Sequence, residues 1–298
     1  MNLRDLKYLI ALVDHGHFGK AADACFVSQP ALSMQIKKLE ETLGVSLIER
    51  TNKTFLLTAT GKLIAEQART VLAQVNTLHD VAKLAKDPFS GELHLGVIPT
   101  VAPYLLPHII PGLMKAFPKL TLYLVEQQTH VLMQSMKQGK LDAAFLALPI
   151  AEDNMTSTAL FDEEFMLAVP ATHVLAKRKI VKQADLEDKT LLLLEDGHCM
   201  REQALSVCHR VHAVESKRFQ ATSLETLRHM VASGVGITLM PKLSCRENDG
   251  VCYLSFSAPK PTRTIGLSWR SSSAKQRLLD KMALEIKKML AKQPVIIK

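Results

Sequence analysis

Apolar residues recur at helical spacing in three short stretches near the start of the chain. They are Leu3, Leu6, Leu9, Ile10 and Val13, then Phe18, Ala21, Ala22 and Cys25, and then Leu32, Ile36, Leu39 and Leu43. The run Ser28-Gln29-Pro30 predicts the start of the third helix, because Ser caps helices and Pro fits the first turn. Two short helices, a tight turn and a third helix predict a helix-turn-helix.

The outer face of the third predicted helix is polar and basic, with Gln29, Ser33, Gln35, Lys37 and Lys38. Gln and Ser hydrogen-bond base edges, whereas Lys and Arg mainly contact phosphates. The basic run Arg50-Thr51-Asn52-Lys53 lies between apolar residues and predicts a hairpin, or wing, beside this helix. The pattern favours a DNA-binding domain; the alternative is the solvated face of an ordinary three-helix bundle.

A heptad pattern follows this predicted domain. Spacings of four and three residues alternate through Ile64, Ala68, Val71, Val75, Leu78, Ala82 and Ala85. They predict a helix from about Thr60 to Lys86 that pairs with a second copy through its apolar seam. The alternative is a long helix packed on its own domain. The run Asp87-Pro88-Phe89-Ser90-Gly91 then breaks the helix and predicts a linker.

From Glu92 onward, predicted strands and helices alternate in two groups, which is typical of α/β lobes. We therefore predict an all-α winged helix-turn-helix at 1–58, a linker helix and hinge at 59–90, and a two-lobed regulatory domain like periplasmic binding proteins at 91–298. Lobe I comprises 91–161 and 266–298, and lobe II comprises 162–265. Thr100 and Thr129 follow predicted strands and are expected to face the cleft, unless their hydroxyls only cap helices.

Two cysteines, Cys199 and Cys208, lie nine residues apart in a stretch rich in helix formers. Nine helical residues span roughly 13 Å, whereas a disulfide needs Cα atoms within about 7 Å. A bond between them would have to unwind the helix, as a redox switch requires. Cys199 is predicted in the first helical turn, where the helix dipole, His198 and Arg201 favour a reactive thiolate.

Two other interpretations of these cysteines stay open at this point. They would be unreactive if they were simply small buried residues. A metal site would draw on His198, Cys199, Cys208, His209 and His212, but zinc ligands usually lie two to five residues apart and eight residues separate the two cysteines. We predict no metal site and no cofactor, and assign no role to Cys25, Cys245 and Cys252.

Composition and the absence of known motifs argue against a few classes of protein. The net charge of +8 comes mainly from residues 259–298, so the charge itself does not argue for DNA binding. The chain shows neither a run of 18 apolar residues nor a signal-peptide core, which predicts a cytoplasmic protein. Enzyme motifs such as a phosphate-binding glycine loop, G-x-S-x-G or HExxH do not occur, and Asp162-Glu163-Glu164 looks like a surface cluster. We do not expect an enzyme.

Motifs along nearly the whole chain resemble a known family. The head, with Phe18-Gly19-Lys20-Ala21-Ala22, Val27-Ser28-Gln29-Pro30-Ala31-Leu32-Ser33 and Leu57-Thr58-Ala59-Thr60-Gly61, resembles LysR-type transcriptional regulators. The remainder is similar to the hydrogen-peroxide-sensing branch of that family, through Ile98-Pro99-Thr100-Val101, Gln128-Thr129-His130, Leu194-Glu195-Asp196-Gly197-His198-Cys199 and Ala221-Thr222-Ser223-Leu224-Glu225.

The resemblance implies a role for each candidate site residue. Cys199 would attack peroxide to give a sulfenic acid, and Cys208 would condense with it to a disulfide. Peroxide would be held by Thr100, Thr129 and His198, with positive charge from Arg201 and Arg263. The DNA contacts would be Gln29, Pro30, Ser33, Lys37, Arg50, Thr51 and Lys53.

The function so implied is a peroxide-sensing activator of antioxidant genes, in which the disulfide refolds the regulatory domain and alters the DNA contacts. Its expected partners are double-stranded operator DNA, further copies in a homotetramer (a dimer of dimers), RNA polymerase and a thiol reductant such as glutaredoxin. The first alternative is a LysR-type regulator that responds to a small metabolite and whose cysteines do not switch. A thiol peroxidase carrying a DNA-binding head is the second.

Overall fold

The computed structural model describes residues 1–50, 55–84, 87–210 and 214–298. The chain divides into two compact units, the first holding residues 1–83 and 137–140 and the second holding residues 84–136 and 141–298. Within the described ranges, no helix is long and apolar enough to cross a lipid bilayer.

Three helices build the first unit around a small apolar core. They are α1 (Leu3–His15), α2 (Phe18–Ala24) and α3 (Gln29–Leu43). The Ala31 backbone N–H donates to Ser28 Oγ at 3.4 Å, so Ser28 caps α3 as the sequence predicts. Leu9, Leu32 and Ile36 are fully buried where the three helices meet. The predicted helix-turn-helix is present.

A short hairpin and a long helix complete the first unit. Strands β1 (Ile48–Arg50) and β2 (Phe55–Leu57) pair antiparallel and form the base of the predicted wing. Glu40 of α3 fixes its start, because its Oε1 accepts hydrogen bonds from the backbone N–H groups of Leu47 at 2.7 Å and Ile48 at 3.1 Å. Helix α4 (Ala59–Leu84) follows the hairpin. Its Gly61 packs so closely against the Leu47 backbone that a Cβ would overlap the Leu47 carbonyl oxygen.

The second unit begins with a parallel strand–helix alternation. Its elements are β3 (Gly91–Val97), α5 (Ala102–Ala116), β4 (Leu120–Glu126), α6 (Thr129–Lys137) and β5 (Ala143–Leu148). Strand β3 pairs in parallel with both β4 and β5. This is the α/β pattern predicted for lobe I.

The remaining elements form lobe II and return to lobe I. They are β6 (Met155–Pro170), β7 (Ile180–Val181), β8 (Thr190–Leu194), α7 (Cys199–Arg210), β9 (Val214–Ala221), α8 (Leu224–Ala232), β10 (Thr238–Pro241), β11 (Val251–Phe256), β12 (Thr262–Arg270), α9 (Gln276–Leu290) and β13 (Ile296–Ile297). The long strands β6 and β12 pair antiparallel and run between the lobes, with β5 on the other side of β12. Each lobe has its own apolar core.

Strand β6 departs most from the sequence-based expectation. The apolar run in the sequence predicts a strand only from Phe165 to Val169, whereas β6 begins at Met155. The polar residues in its first half hid the strand pattern. The sequence also predicts that residues 162–164 lie at the surface. This is wrong for Glu163, which is 1% exposed and forms an ion pair with the buried Arg263.

Candidate functional site

The loop between β8 and α7 places the candidate peroxide-binding residues. At its start, the Glu195 backbone N–H donates to the Ala221 carbonyl oxygen at 2.9 Å. Gly197 has φ of +92°, and a Cβ at this position would collide with the side chain of Gln128, next to α6. The positive φ therefore favours glycine, and the side-chain amide of Gln128 from lobe I lies close against it.

Cys199 is the first residue of α7, and its thiol is free. Its partly buried side chain packs against the apolar core of lobe I. A helix N-terminus carries unpaired N–H groups whose partial positive charge favours an anion such as a thiolate. Cys208 occupies the same helix, although its side chain lies outside the described part of the chain. A bond between the two positions would therefore require α7 to unwind.

His198, directly before Cys199, is 6% exposed. Its Nε2 lies 3.9 Å from Glu195 Oε1. Burial lowers the pKa of His198 below its usual value, and the nearby Glu195 charge offsets this only in part. The imidazole is consequently neutral at pH 7, with one nitrogen that donates and one that accepts a hydrogen bond.

Arg201 joins the loop to the first turn of α7. Its Nη1 donates to the Leu194 carbonyl oxygen at 3.2 Å, and its Nε lies 2.8 Å from Asp196 Oδ1. Arg201 as a whole is 8% exposed. Arg201 thus holds both ends of the segment that presents His198 and Cys199.

Thr100, Arg263 and Glu163 form a buried network between the lobes. Arg263 Nη1 donates to Thr100 Oγ1 at 3.0 Å, and its Nη2 donates to the Thr100 carbonyl oxygen at 3.1 Å. Arg263 Nε donates to Glu163 Oε2 at 2.8 Å, while the Leu243 N–H donates to Glu163 Oε1 at 2.7 Å. Glu163 thus compensates the Arg263 charge. Because Thr100 Oγ1 already accepts a bond, its proton is left to donate to another group.

Within the described residues, two side chains of this region each have a buried oxygen that lacks a hydrogen-bond partner. They are the Thr129 hydroxyl, at the start of α6, and Gln203 Oε1, one helical turn after Cys199. An unsatisfied buried polar atom costs about 1–3 kcal/mol. A small polar ligand that bonds to Thr129 would remove part of that cost.

A cavity of about 290 Å³ opens between the lobes. It is lined on lobe I by Pro99, Pro103, Tyr104, Glu126, Gln127 and Gln128, and on lobe II by Glu195, His198, Thr222, Ser223, Leu224 and Glu225. Of the predicted peroxide-binding residues, His198 lines this cavity, whereas Thr100 and Arg263 lie together in the buried network. The cavity is acidic, which suits a neutral or cationic guest better than an anion.

A charged network beside the cavity was missed by sequence reasoning. The Tyr104 hydroxyl of α5 donates to Glu225 Oε1 at 2.9 Å, and Arg228 Nε donates to Glu225 Oε2 at 3.3 Å. Burial, together with the bond to Glu225, raises the pKa of Tyr104 to about 12. Because Tyr104 also packs into the core of lobe II, it joins the two lobes. Tyr104 and Glu225 are 121 residues apart in the sequence, so local spacing does not predict their contact.

Cys25, Cys245 and Cys252 are free thiols. Burial raises the pKa of Cys245 to about 12, and its thiol donates to the Pro241 carbonyl oxygen at 3.5 Å. Burial also raises the pKa of Cys25. Raised pKa values disfavour the thiolate, so neither thiol has the surroundings of a reactive cysteine.

The predicted DNA-binding residues of α3 lie on its outer side. Gln29, Pro30 and Lys37 are exposed, and Ser33 is half-buried. Arg50 ends β1, but its side chain lies outside the described part of the chain, as do Thr51 and Lys53. On α4, the seam residues Val71 and Leu78 are 44% and 70% exposed; the pairing of this seam with a second copy stays a prediction.

Residues 3–62 match the family model of bacterial regulatory helix-turn-helix proteins of the lysR family, and residues 86–290 match the LysR substrate binding domain. The chain belongs to the LysR family. It is 51% identical over 290 residues to the DNA-binding transcriptional dual regulator OxyR of Escherichia coli K12, an alignment covering 96% of this chain and 95% of that protein. A hydrogen peroxide-inducible genes activator of Haemophilus influenzae is 45% identical over 286 residues, covering 95% of both.

Solved structures support the same assignment for this LysR-type regulator. A full-length OxyR variant from Pseudomonas aeruginosa is 38% identical, covers 96% of this chain and 95% of its own, and has a TM-score of 0.79. Structures of oxidised and reduced OxyR are 48% and 46% identical and cover 68% and 69% of this chain and 98% of theirs, each with a TM-score of 0.64. The predicted resemblance and fold class are confirmed, and the helix-turn-helix implies DNA binding.

Proposed function

We propose that this LysR-type regulator senses hydrogen peroxide by forming a disulfide between Cys199 and Cys208. The observation that carries the proposal is a free cysteine at the N-terminus of α7 with a second cysteine inside the same helix. The identity to hydrogen peroxide-inducible activators supports the chemistry.

The two thiols supply the two electrons and two protons that reduce one peroxide. The Cys199 thiolate attacks one peroxide oxygen, the O–O bond breaks, and the leaving hydroxide takes a proton to become water. The resulting Cys199 sulfenic acid is attacked by the Cys208 thiol, which forms the S–S bond and releases a second water. Each thiol gives up one proton and one electron, so one peroxide is reduced to two waters.

Peroxide binding is the proposed role of Thr100, Thr129 and His198. Peroxide needs both donors and acceptors of hydrogen bonds beside the sulfur. Arg263 bonds to the Thr100 oxygen and so leaves its proton to donate, the Thr129 hydroxyl is buried without a partner among the described residues, and His198 is neutral. Arg201 fixes the segment that carries His198 and Cys199, and the Arg263 charge is largely compensated by Glu163.

Disulfide formation requires α7 to leave lobe II, and its packing makes this feasible. Of the side chains described in 199–206, Met200, Arg201 and Ala204 are buried against that lobe. The refolded segment would repack the lobes and change the spacing of the DNA-binding units in a homotetramer in the cytoplasm. The oxidised protein would then recruit RNA polymerase to antioxidant genes, and a thiol reductant such as glutaredoxin would reset it.

Cysteine variants test the proposal directly. Cys199→Ser is expected to bind operator DNA but show no change of DNase I footprint with peroxide. Cys208→Ser should accumulate a sulfenic acid, detected by dimedone labelling, and likewise keep its reduced footprint. Cys245→Ser is the matched control and should respond as the wild type does. A Cys199→Ser protein whose footprint still changed with peroxide would exclude this mechanism.

The interlobe cavity supports one rival function. Its volume of about 290 Å³ admits a small metabolite, and its lining includes His198 but not Thr100 or Arg263. In this rival, the ligand closes the lobes and the cysteines do not switch. A Cys199 thiol that reacted with peroxide no faster than free cysteine, in a protein whose footprint changed only with a cavity ligand, would favour the rival.

A further inference from the structure

Helix α3 exposes a single large apolar side chain, Met34, which is 65% exposed. The opposite face of the same helix holds Leu32, Ile36 and Leu39, all at most 1% exposed. At 3.6 residues per turn, Met34 points almost directly away from this core. Stability of the folded unit therefore does not explain an apolar residue at this position.

The surroundings of Met34 indicate what covers it. It is the sixth residue of α3, in the half of a recognition helix that enters the major groove. The exposed Pro30 lies one turn before it, and the exposed Lys37 and Lys38 lie one turn after it. Lysines at that distance attract the phosphate backbone and so bring Met34 against base edges.

The chemical groups exposed in the DNA major groove indicate which of them Met34 would contact. Gln and Ser side chains match hydrogen-bonding base edges, but a methionine offers no strong donor or acceptor. The apolar group that the major groove presents is the C5-methyl of thymine. We propose that Met34 is a specificity-determining residue that contacts a thymine methyl in each half-site of the operator. This inference rests on DNA binding by the helix-turn-helix and is independent of the redox chemistry.

The experiment removes the methyl without changing any base pair. Full-length protein first selects its preferred duplex from a random pool. Each thymine of that duplex is then replaced singly by deoxyuracil, and Kd is measured by fluorescence anisotropy for wild type, Met34→Ala and Met34→Leu. At one position per half-site, deoxyuracil should weaken wild-type binding roughly four-fold, the effect of burying one methyl or methylene group. The same replacement should leave Met34→Ala binding unchanged, while Met34→Leu should keep most of the effect.

Lys37→Ala is the matched control on the same face. It should weaken binding to thymine and deoxyuracil duplexes by the same factor and lower the salt dependence by about one counterion. The proposal is overturned if Met34→Ala loses as much affinity as the wild type at every thymine. It is equally overturned if Met34→Ala changes the oligomeric state while keeping the methyl preference, since Met34 would then contact a second copy.

Discussion

Replacing Glu163 by Gln isolates the contribution of the buried pair that holds Thr100. Glu163 and Arg263 are 1% and 3% exposed, so water replaces none of the lost charge. The single oxygen of Gln satisfies either the Leu243 N–H or Arg263, and its NH₂ group then faces a donor. The variant therefore leaves Arg263 as a buried cation with an opposing dipole.

The magnitude follows from this burial. Removing one partner of a buried ion pair costs about 3–5 kcal/mol, because the remaining charge is uncompensated. For a unit of this size, 1 kcal/mol lowers Tm by about 2–4 °C. We expect Glu163→Gln to lower the Tm of the regulatory unit by roughly 6–20 °C.

The assay is thermal unfolding of the full-length protein, reduced and without peroxide, followed by circular dichroism. Arg263→Met supplies the reciprocal single variant, and Glu163→Gln with Arg263→Met supplies the double variant. The double variant should melt well above the Glu163→Gln protein, because its buried cation is gone. Arg263→Met removes both hydrogen bonds from Arg263 to Thr100, so peroxide oxidation of Cys199 should be slower in that variant.

A Glu163→Gln protein that melts within 2 °C of the wild type would show that the pair contributes little to stability. Strictly additive losses in the double variant would contradict direct contact between the two charges, because such a pair must show coupling. Glu164→Gln is the matched control, since Glu164 is a neighbouring carboxylate with partly exposed lysine partners. It should shift Tm by no more than a few degrees.

Four further variants or measurements follow from the site. Gln203→Met removes a buried amide oxygen that has no partner among the described residues and should stabilise the reduced α7 by about 1–3 kcal/mol. The disulfide equilibrium constant in a glutathione buffer should then fall roughly 5- to 150-fold. Burial lowers the pKa of His198 in the folded protein, so the unfolded chain binds the proton at a higher pH. The Tm of the wild type should therefore fall as the pH drops through about 6.5. The His198→Gln variant should show a weaker dependence of Tm on pH. With a pKa of about 12, Cys245 should resist iodoacetamide at pH 8 until unfolding, while Cys199 is modified, as peptide mass spectrometry would show. Tyr104→Phe loses one hydrogen bond to Glu225 and should lower stability by about 1 kcal/mol in urea unfolding.

Each of these has a clear contrary result. A Gln203→Met protein with an unchanged disulfide equilibrium would show that the amide oxygen is satisfied in solution. An equally steep pH dependence in His198→Gln would assign it to another group. Alkylation of native Cys245 would contradict its burial, and an unaltered Tyr104→Phe protein would mean that the bond to Glu225 contributes nothing.

Local patterns in the sequence were sufficient for much of the fold. The helices of the first unit follow from apolar spacing and from the cap at Ser28, because both signals act within one or two turns. The position of Cys199 at a helix start was predictable for the same reason. Strand β6 was not, because its polar first half is stabilised by partners far away in the chain.

At the candidate site, too, contacts between sequence neighbours were predictable and contacts between distant residues were not. His198 and Cys199 are neighbours in sequence, so their proximity needs no tertiary information. Thr100 and Arg263 are 163 residues apart, and the sequence does not show that Glu163 compensates the arginine. The resemblance implies that Arg263 supplies positive charge near the Cys199 thiol, but in the structure this charge is paired with the buried carboxylate of Glu163.

The two parts of the proposed site differ in how firmly they are held. Thr100 is bonded by the buried Arg263–Glu163 pair, whose disruption is costly. The described part of α7 is held by few buried side chains, and Gln203 Oε1 is buried without a partner among the described residues, which opposes its packing. In the proposed mechanism, a newly formed disulfide therefore has to overcome only the weakly held part, while the residues proposed to bind peroxide stay positioned. Reversible switching would depend on this difference in local stability as much as on the two cysteines.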